Sequence, residues 1–378
     1  MQLVRRLILF AAGVTPLVLL SPQASAQDQF QQSPISQRTY TFVRIQDRDT
    51  PGTIATAARA INRRNQIAGT LQCFSGCAYL WQAGDLDIIP PILDDPFAAN
   101  AAYGLNDRGD VVGQTSVAAT LPPHAFLFRS GESTDLGTGY PTPGGYSLAF
   151  DINNFGWIIG VRGVSQSAPQ RAFLYRDGSF VELGTLGGQS HLPFGVDATA
   201  NAVNDRGQIV GAALPAQPPL QSYLWEQGVM TALPNLGGNT EASEAFSISN
   251  SGHVVGASQT AGLEIHAFSW ESGVIRDLGT LGGRFSYAYG VNGLAQVVGS
   301  SATATTPTGN AGHATLWEDG QVIDLNRRVV NLPSDVVLET AYAINHAGII
   351  VGNTCTQFCE RGPDGNTQAF LLIPSRVQ

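Results

Sequence analysis

Short alternating runs of apolar and polar residues dominate this chain, and no segment shows a convincing helical period. Residues 39–45 (TYTFVRI) alternate and are β-branched or aromatic, which predicts a strand. From residue 58 onward an A-x-x-(I/V)-N segment, a tight turn and a Val-Val-Gly run recur. The Asn and Gly of that turn both tolerate positive φ. Period-2 alternation with regular glycine punctuation predicts an all-β chain.

Seven repeats of this pattern begin near residues 58, 102, 149, 200, 245, 288 and 341. Their anchoring glycines are Gly69, Gly113, Gly160, Gly211, Gly256, Gly299 and Gly352, which lie 43 to 53 residues apart. A period of this length is typical of propeller blades. Each repeat is expected to form four strands, with the variable connections on one face, where binding sites are usually found.

The two ends of the repeat array complement each other. Repeat seven ends at Ile373 without a fourth strand, while the strand at 39–45 has no partner of its own. If 39–45 supplies the missing outer strand, no edge stays unpaired. The predicted fold is therefore a seven-bladed β-propeller of four-stranded blades, forming a single domain over 39–378. An open β-solenoid is the alternative, although its repeats are usually shorter and need caps.

The first 26 residues have the marks of a secretory signal peptide. Arg5 and Arg6 precede an apolar run at 7–20, and Ala24 and Ala26 occupy the small positions of a cleavage site. Cleavage after Ala26 and a disordered, Gln-rich leader at 27–38 are expected. A membrane anchor is the alternative, but the run is short for a span. The protein is thus expected to be secreted, periplasmic or extracellular, with no membrane span after cleavage.

Charge and composition narrow the classes of partner. The net charge is −9 and becomes −11 once Arg5 and Arg6 are removed, and all 20 basic residues are arginine. An acidic chain argues against nucleic acid and anionic lipid as partners. Only 13% of residues are charged and 43 are glycine, which fits many short strands with tight turns. No cofactor is expected, and the protein is expected to be a monomer.

Four cysteines form two CxxxC pairs, Cys73 with Cys77 and Cys355 with Cys359. An exported chain meets an oxidising compartment, so disulfides are expected. Local pairs are preferred because a four-residue spacing closes easily in a loop, while cross-pairing between the first and last repeats stays open. A zinc site made of all four thiolates is disfavoured by the export and by the spacing, and no metal is expected.

One polar position recurs just before the expected third strand of each repeat. It holds Cys77, His124, Arg171, Gln221, His266, His313 and Gln368. The six residues other than Cys77 could form a polar ring that binds a ligand such as a sugar. Alternatively, each residue could bond within its own repeat. The histidines are not all on consecutive repeats, which disfavours shared metal coordination.

A resemblance to a known family rests on two segments. HAFSWESGVIRDLGTLGG at 266–283 and LGTLGG at 183–188 resemble the bacterial extracellular HAF repeat. The likeness covers about 58–374 and is weak in repeats one and seven. It implies an exported repeat protein, and it supplies neither an activity nor catalytic residues.

Motifs of catalysis are missing from the sequence, including G-x-S-x-G and H-E-x-x-H. A glycosidase needs two carboxylates about 5–10 Å apart, a separation that a sequence does not display. The leading hypothesis is a non-catalytic binding or interaction propeller whose ligand is a glycan or an envelope protein. The alternatives are a carbohydrate hydrolase or lyase on the same scaffold and a purely structural surface component.

Overall fold

The computed structural model describes residues 38–49, 55–72, 76–95, 97–118, 121–141, 144–190, 192, 194–237, 242–304, 312–356 and 367–375, without the side chains of 355 and 356. Contacts divide the chain into two units, and every strand below belongs to the unit Thr39–Ser375. The predicted signal peptide, 1–26, and the predicted leader, except for Arg38, lie outside the described residues.

Each repeat contributes strands in the predicted order. The first strands are β2 (Ala55–Ile61), β6 (Asn100–Leu105), β10 (Tyr146–Ile152), β14 (Ala198–Val203), β18 (Ser243–Ile248), β22 (Gly282–Val291) and β26 (Val336–Ile344). The second strands are β3 (Ile67–Leu71), β7 (Val111–Thr115), β11 (Ile158–Gly163), β15 (Ile209–Ala213), β19 (Val254–Gln259), β23 (Val297–Thr303) and β27 (Ile350–Thr356).

The outer strands follow the same order. The third strands are β4 (Cys77–Gln82), β8 (His124–Arg129), β12 (Arg171–Arg176), β16 (Gln221–Glu226), β20 (Ile265–Glu271), β24 (His313–Glu318) and β28 (Gln368–Pro374). The fourth strands are β5 (Asp85–Ile88), β9 (Glu132–Gly137), β13 (Ser179–Glu182), β17 (Val229–Ala232), β21 (Val274–Asp277) and β25 (Gln321–Asp324), and β1 (Tyr40–Arg44) precedes them all.

Helical structure in the described residues is limited to one 3-10 turn, Leu325–Arg327. Within the same part of the chain, no helix has the length and apolar character needed to cross a membrane.

Antiparallel pairing joins the strands of each repeat in chain order. Repeats one to four each form one sheet, and a single parallel pair, Ile265 with Phe285, links repeats five and six into an eight-stranded sheet. The last sheet has the order β1–β28–β27–β26, with Tyr40 opposite Pro374 and Arg44 opposite Phe370. The predicted all-β architecture of four-stranded antiparallel sheets is confirmed.

The two valines of the Val-Val-Gly run belong to different cores. Neighbouring strand residues point to opposite faces of a sheet. In repeat two, Val111 packs in a cluster with Ala68 of repeat one, while Val112 packs in a cluster with Phe173 of repeat three. Both valines are fully buried. The run of repeat two is apolar on both faces because its sheet lies between those of repeats one and three.

Every first strand contains a β-bulge at the same place. In β10 the register moves from Ala149 to Asp151, which leaves Phe150 without a partner on β11. The same shift follows the motif alanine in the other six first strands. A bulge takes one residue out of the ladder and re-aims its side chain. The extra residue is thus displayed on the edge strand of each repeat.

The glycine of the Val-Val-Gly run is a consequence of this bulge. A Cβ on Gly113 would collide with the carbonyl oxygen of Ala101, and the matching glycine of every other repeat meets the matching carbonyl. The obstacle is backbone in each case, so it cannot move aside as a flexible side chain would. These seven glycines permit close approach of two strands.

A buried asparagine follows the first strand in six of the seven repeats. Asn153 Oδ1 accepts hydrogen bonds from the N–H groups of Phe155 and Trp157, at 3.0 and 2.9 Å, which shapes the turn. Its Nδ2 donates to the carbonyl oxygen of Asn204 in the next repeat, at 3.1 Å. The same link is made by Asn62, Asn106, Asn204, Asn292 and Asn345, at 2.9 to 3.2 Å. We call this set the asparagine ladder.

The sequence-based role of these asparagines was wrong in one respect. Positive φ falls on the turn glycine, as at Gly109 and Gly156, or on Asn65 and Ala295 in the repeats that lack it. The ladder asparagines themselves do not have positive φ. They are needed for the hydrogen bonds of their side chains.

The first and last repeats contact each other. Asn345 Nδ2 donates to the carbonyl oxygen of Asn62 at 3.2 Å, and the N–H of Ala58 donates to Asn353 Oδ1 at 3.3 Å. Leu371 of repeat seven packs in one hydrophobic cluster with Ile67 of repeat one. The contacts between repeats seven and one are thus of the same kind as those between consecutive repeats.

Repeat five has the buried Ser249 in place of the ladder asparagine, and a hydroxyl cannot both shape the turn and reach the next repeat. We predict that Ser249→Asn adds the missing bond to Asn292 and raises the free energy of unfolding by about 0.5–1.5 kcal/mol. Asn345→Ser should lower it by about 1–3 kcal/mol because the Asn345 amide then loses two hydrogen bonds to repeat one, to the Asn62 carbonyl oxygen and to Asn65 Oδ1. Urea unfolding measures both changes, and equal midpoints for the two variants would contradict a stabilising ladder.

Candidate functional site

The predicted polar positions lie on the third strands, one strand in from the outer edge of each sheet. Cys77, His124, Arg171, Gln221, His313 and Gln368 are the first residues of their strands, and His266 is the second residue of β20. They had been expected to precede these strands. In each repeat, the second strand lies between these residues and the first strand.

Each of the three histidines is paired with an aspartate eleven residues later. Nδ1 lies 3.0 Å from Asp135 Oδ2 for His124, 2.8 Å from Asp277 Oδ2 for His266, and 3.0 Å from Asp324 Oδ2 for His313. The aspartates lie on the fourth strand of the same repeat. The histidines are therefore engaged separately within their own sheets. Among the described residues, no three His, Cys, Asp or Glu side chains are grouped so that they could hold a metal.

The aspartate of repeat six, Asp324, is the most buried of the three, with its side chain 9% exposed against 36% for Asp135 and 43% for Asp277. Burial alone would raise the pKa of Asp324, but the hydrogen bond and charge of His313 and the hydrogen bonds from Asn326 outweigh it and lower the pKa. Asp324 also accepts the backbone N–H of Asn326 at 3.0 Å. This carboxylate therefore secures the end of its own strand.

The remaining polar positions are also occupied locally. Arg171 lies 3.7 Å from Glu182 and 3.6 Å from Asp197. The N–H of Gln368 donates to Thr354 Oγ1 on the neighbouring strand at 3.3 Å. Gln221 has a partner of its own. The structure does not bring these residues to one point, and their role in ligand binding stays a prediction.

Cys77 begins β4 and is not a free thiol. Cys73, Cys359 and the side chain of Cys355 lie outside the described residues. The choice between local and crossed disulfides therefore stays a prediction.

The residues displayed by the seven bulges form a second set, distinct from the site residues predicted from the sequence. We call this set the inner ring; it comprises Arg59, Tyr103, Phe150, Asn201, Phe246, Tyr289 and Tyr342. Each follows the alanine of the A-x-x-(I/V)-N motif. Arg59 is exposed and the other six residues are half-buried. Five of the seven positions are therefore aromatic side chains with part of their surface open to solvent.

Side chains of the inner ring contact one another from repeat to repeat. The ring centroids of Tyr289 lie 5.3 Å from Phe246 and 5.5 Å from Tyr342. Tyr103 meets Phe150 edge-to-face at 6.0 Å. The Arg59 guanidinium carbon lies 4.3 Å from the ring centroid of Tyr342, a cation–π distance that again joins repeats one and seven. The displayed side chains thus form a shared surface.

The polar part of this surface lies in repeats four and five. Asn201 Nδ2 donates to Glu244 Oε1 at 2.8 Å and to the carbonyl oxygen of Ala245 at 2.9 Å. Burial raises the pKa of Glu244, against the hydrogen bonds from Asn201 and Thr199. Burial likewise raises the pKa of Tyr289, on which the charges of Arg59 and Glu244 act in opposite directions. Tyr289 therefore lies within electrostatic reach of both charged groups.

A cavity of about 470 Å³ lies beside β25 and is lined by residues that include Leu281, Thr303, Asp324 and Arg327. None of the inner-ring residues lines it. Its best-placed polar group, Asp324, is already bonded to His313. The inner ring is therefore the stronger candidate site.

Asp151 departs from the repeat pattern directly after the ring residue Phe150. The other repeats have alanine, glycine or serine at this position. Asp151 Oδ2 accepts the N–H of Val203 in repeat four at 2.9 Å, and Oδ1 accepts the N–H of Ile152 at 2.8 Å. Burial raises the pKa of Asp151 to about 7, despite these two hydrogen bonds.

Comparison with known proteins supports the fold. No family model and no curated protein matches the chain. YCF48 bound to D1 peptide is 12% identical, with coverage of 90% of this chain and 96% of that chain and a TM-score of 0.50. A puromycin-hydrolyzing peptidase of Mycobacterium tuberculosis is 10% identical, with coverage of 84% and 50% and a TM-score of 0.53. TolB from Acinetobacter baumannii is 13% identical, with coverage of 70% and 62% and a TM-score of 0.42.

The chain spans about half the length of the peptidase and 62% of that of TolB. At such low identities the similarity concerns the fold alone. YCF48 is a β-propeller, so the likeness supports a β-propeller scaffold for this chain.

Asp151 predicts a pH dependence of stability. Its folded pKa of about 7 lies above the ordinary value of 3.8. The folded state therefore favours the protonated carboxyl, and this stability is fully present below pH 3.8 and lost as the pH rises through about 7. The slope for one proton is at most about 1.4 kcal/mol per pH unit.

We expect Asp151→Ala, which installs the alanine of repeats one, four and seven, to remove this part of the pH slope. Urea unfolding at pH 5, 6.5 and 8 measures it. Asp87→Ala, at an exposed position of β5, is the matched control and should keep the wild-type slope. Identical slopes for the wild type and Asp151→Ala would contradict the elevated pKa.

Proposed function

We propose that this chain is a secreted seven-bladed β-propeller of the HAF-repeat kind, and that it binds a glycan at the inner ring without chemical turnover. The observation that carries the proposal is the set of five half-buried aromatic side chains that the bulges display, interrupted by Arg59 and Asn201. Sites for small organic ligands combine mostly apolar and aromatic walls with a few placed polar groups.

Closure of the seven sheets into a ring is part of the proposal. It is supported by the pairing of β1 with β28, by the hydrogen bond from Asn345 to Asn62, and by the contact of Arg59 with Tyr342. In a closed ring the seven first strands face the central axis. The displayed side chains then surround one shared space, which a ligand enters from an open mouth.

A glycan suits this surface for a physical reason. A pyranose ring has one face of C–H groups that packs on an aromatic ring and an equator of hydroxyl groups that needs hydrogen-bond partners. Asn201, Glu244 and the hydroxyl groups of Tyr103, Tyr289 and Tyr342 belong to the surface and supply such partners. An envelope protein remains the alternative ligand, and its flat surface suits the outer loops better than a concave aromatic ring.

The position of the carboxylates favours binding over hydrolysis. Glycoside hydrolysis needs two carboxyl groups about 5–10 Å apart across the substrate. At the ring position and the position two residues earlier, Glu244 is the single carboxylate of the seven repeats. The His–Asp pairs of the third and fourth strands lie within separate sheets. A hydrolase or lyase would need a second group that these positions do not supply.

We predict that the mature protein binds oligosaccharides on a glycan array and that Tyr289→Ala or Phe150→Ala weakens binding at least tenfold. Tenfold corresponds to about 1.4 kcal/mol, a usual effect of truncating an aromatic contact residue. Phe155→Ala is the control, because Phe155 is 71% exposed on a turn outside the ring. Urea unfolding of each variant separates loss of binding from loss of folding.

Two outcomes would count against the proposal. Release of new reducing ends from a bound polysaccharide would identify an enzyme. If the Tyr289→Ala and Phe150→Ala variants fold and still bind the glycan, the site lies instead at the outer loops, next to the polar residues at the start of the third strands.

A further inference from the structure

The charges of the inner ring point to a more specific ligand, and this step rests on the proposed binding of a glycan there. Arg59 is the exposed member of the ring. It forms no ion pair with any residue in the described part of the chain, where its contact is the face of Tyr342. By contrast, Arg63 of the following turn pairs with Asp107, and Arg129 pairs with Asp110. An exposed guanidinium inside an aromatic surface thus retains its full capacity to receive an anion.

Stacking on Tyr342 leaves the N–H groups at the edge of the Arg59 guanidinium available to a ligand. A guanidinium that lies over an aromatic face uses its own flat face, while its N–H groups point outward around the edge. That edge matches a carboxylate with two parallel hydrogen bonds. Contact with the aromatic ring also restricts the long side chain, so less conformational entropy is lost when an anion binds.

The side of the inner ring opposite Arg59 carries a hydrogen-bond acceptor instead of a cation. Asn201 and Glu244 belong to repeats four and five, which are the most distant from repeat one in a ring of seven. Glu244 Oε1 is held by Asn201 at 2.8 Å, whereas no described donor occupies Oε2. This free oxygen can accept a sugar hydroxyl. The ring is therefore bipolar, with a cation on one side and a hydrogen-bond acceptor on the other.

This polarity distinguishes between classes of sugar. A neutral sugar would leave Arg59 without a partner, and an amino sugar would place a second cation beside it. One guanidinium fork pairs with two oxygens of a carboxylate as it does with two oxygens of a phosphate, but its single positive charge balances a carboxylate and not the charge of about −1.5 to −2 of a phosphate monoester. The net charge of the chain is −9, which disfavours densely charged anions elsewhere on its surface.

We propose that the inner ring binds a uronic-acid unit of an acidic glycan, with the carboxylate on Arg59, the pyranose face on the aromatic side chains and a hydroxyl on Glu244. Arg59 is then the residue that sets specificity for the acidic sugar. The aromatic residues supply affinity that acidic and neutral sugars share.

The test uses pairs of ligands in which the carboxylate is either free or neutralised as a methyl ester. Trisaccharides of galacturonate, glucuronate and mannuronate are each compared with their methyl esters by titration calorimetry on the mature protein. We expect at least one acid to bind tenfold or more tightly than its ester. Arg59→Met, which keeps an apolar side chain on Tyr342, should remove that difference. Arg59→Lys should restore part of it, because a charge remains without the fork.

Arg276→Met is the matched control, since Arg276 is exposed on the fourth strand β21 and its loss removes the same charge. It should bind as the wild type does. Equal affinity for acids and esters, or tighter binding of a sulfated trisaccharide, would overturn the uronate assignment while leaving glycan binding intact. Failure of every sugar to bind would overturn the proposed function itself.

Discussion

In six of the seven repeats, the buried asparagine that follows the first strand determines how neighbouring sheets meet. One amide both shapes its own turn through Oδ1 and reaches the next turn through Nδ2, as Asn153 does. Neither group has water as a substitute partner at this depth, so an unmade bond costs about 1–3 kcal/mol. Local and inter-sheet geometry are therefore set by the same side chain. The first strand that precedes this asparagine, with its bulge and its displayed residue, is thereby held in the same position relative to the neighbouring sheet in successive repeats.

The bulge separates the positions whose residue type each repeat needs for folding from the one position whose residue type can vary. In the A-x-x-(I/V)-N motif the alanine packs into the core, the Ile or Val is buried or half-buried, and the asparagine joins the ladder. The bulge removes the residue after the alanine from the pairing and leaves it half-buried or exposed, although Phe150 still packs against the core cluster of repeats three and four. Repeats can therefore exchange Tyr for Arg or Asn there without altering the blade. Chemical differences at this position have little structural reason, which is why Arg59 and Asn201 are informative.

Much of the architecture could be predicted from the sequence because strand alternation and turn glycines are local signals. The inner ring could not, since an alternating run looks the same whether or not one residue is bulged out. A signal was nevertheless present: five aromatic residues recur directly after the motif alanine, and four of them are followed by glycine, serine or alanine. The fixed spacing of eleven residues from His124, His266 and His313 to an aspartate was a second signal, and it pointed to local pairs instead of a shared site.

The pairing of β1 with β28 has a consequence for the order of events during folding. A polypeptide is synthesised from its N-terminus, so Tyr40–Arg44 is made well before its partner Gln368–Pro374. The entropic cost of closing a loop grows only slowly with its length. The late pairing of β1 with β28 therefore reflects the order of synthesis and does not lower the final stability. During that interval β1 is an edge without a neighbour, the kind of segment that pairs with other chains. Any chain that lacks Gln368–Pro374 would leave this edge unpaired, whereas pairing with β28 covers it.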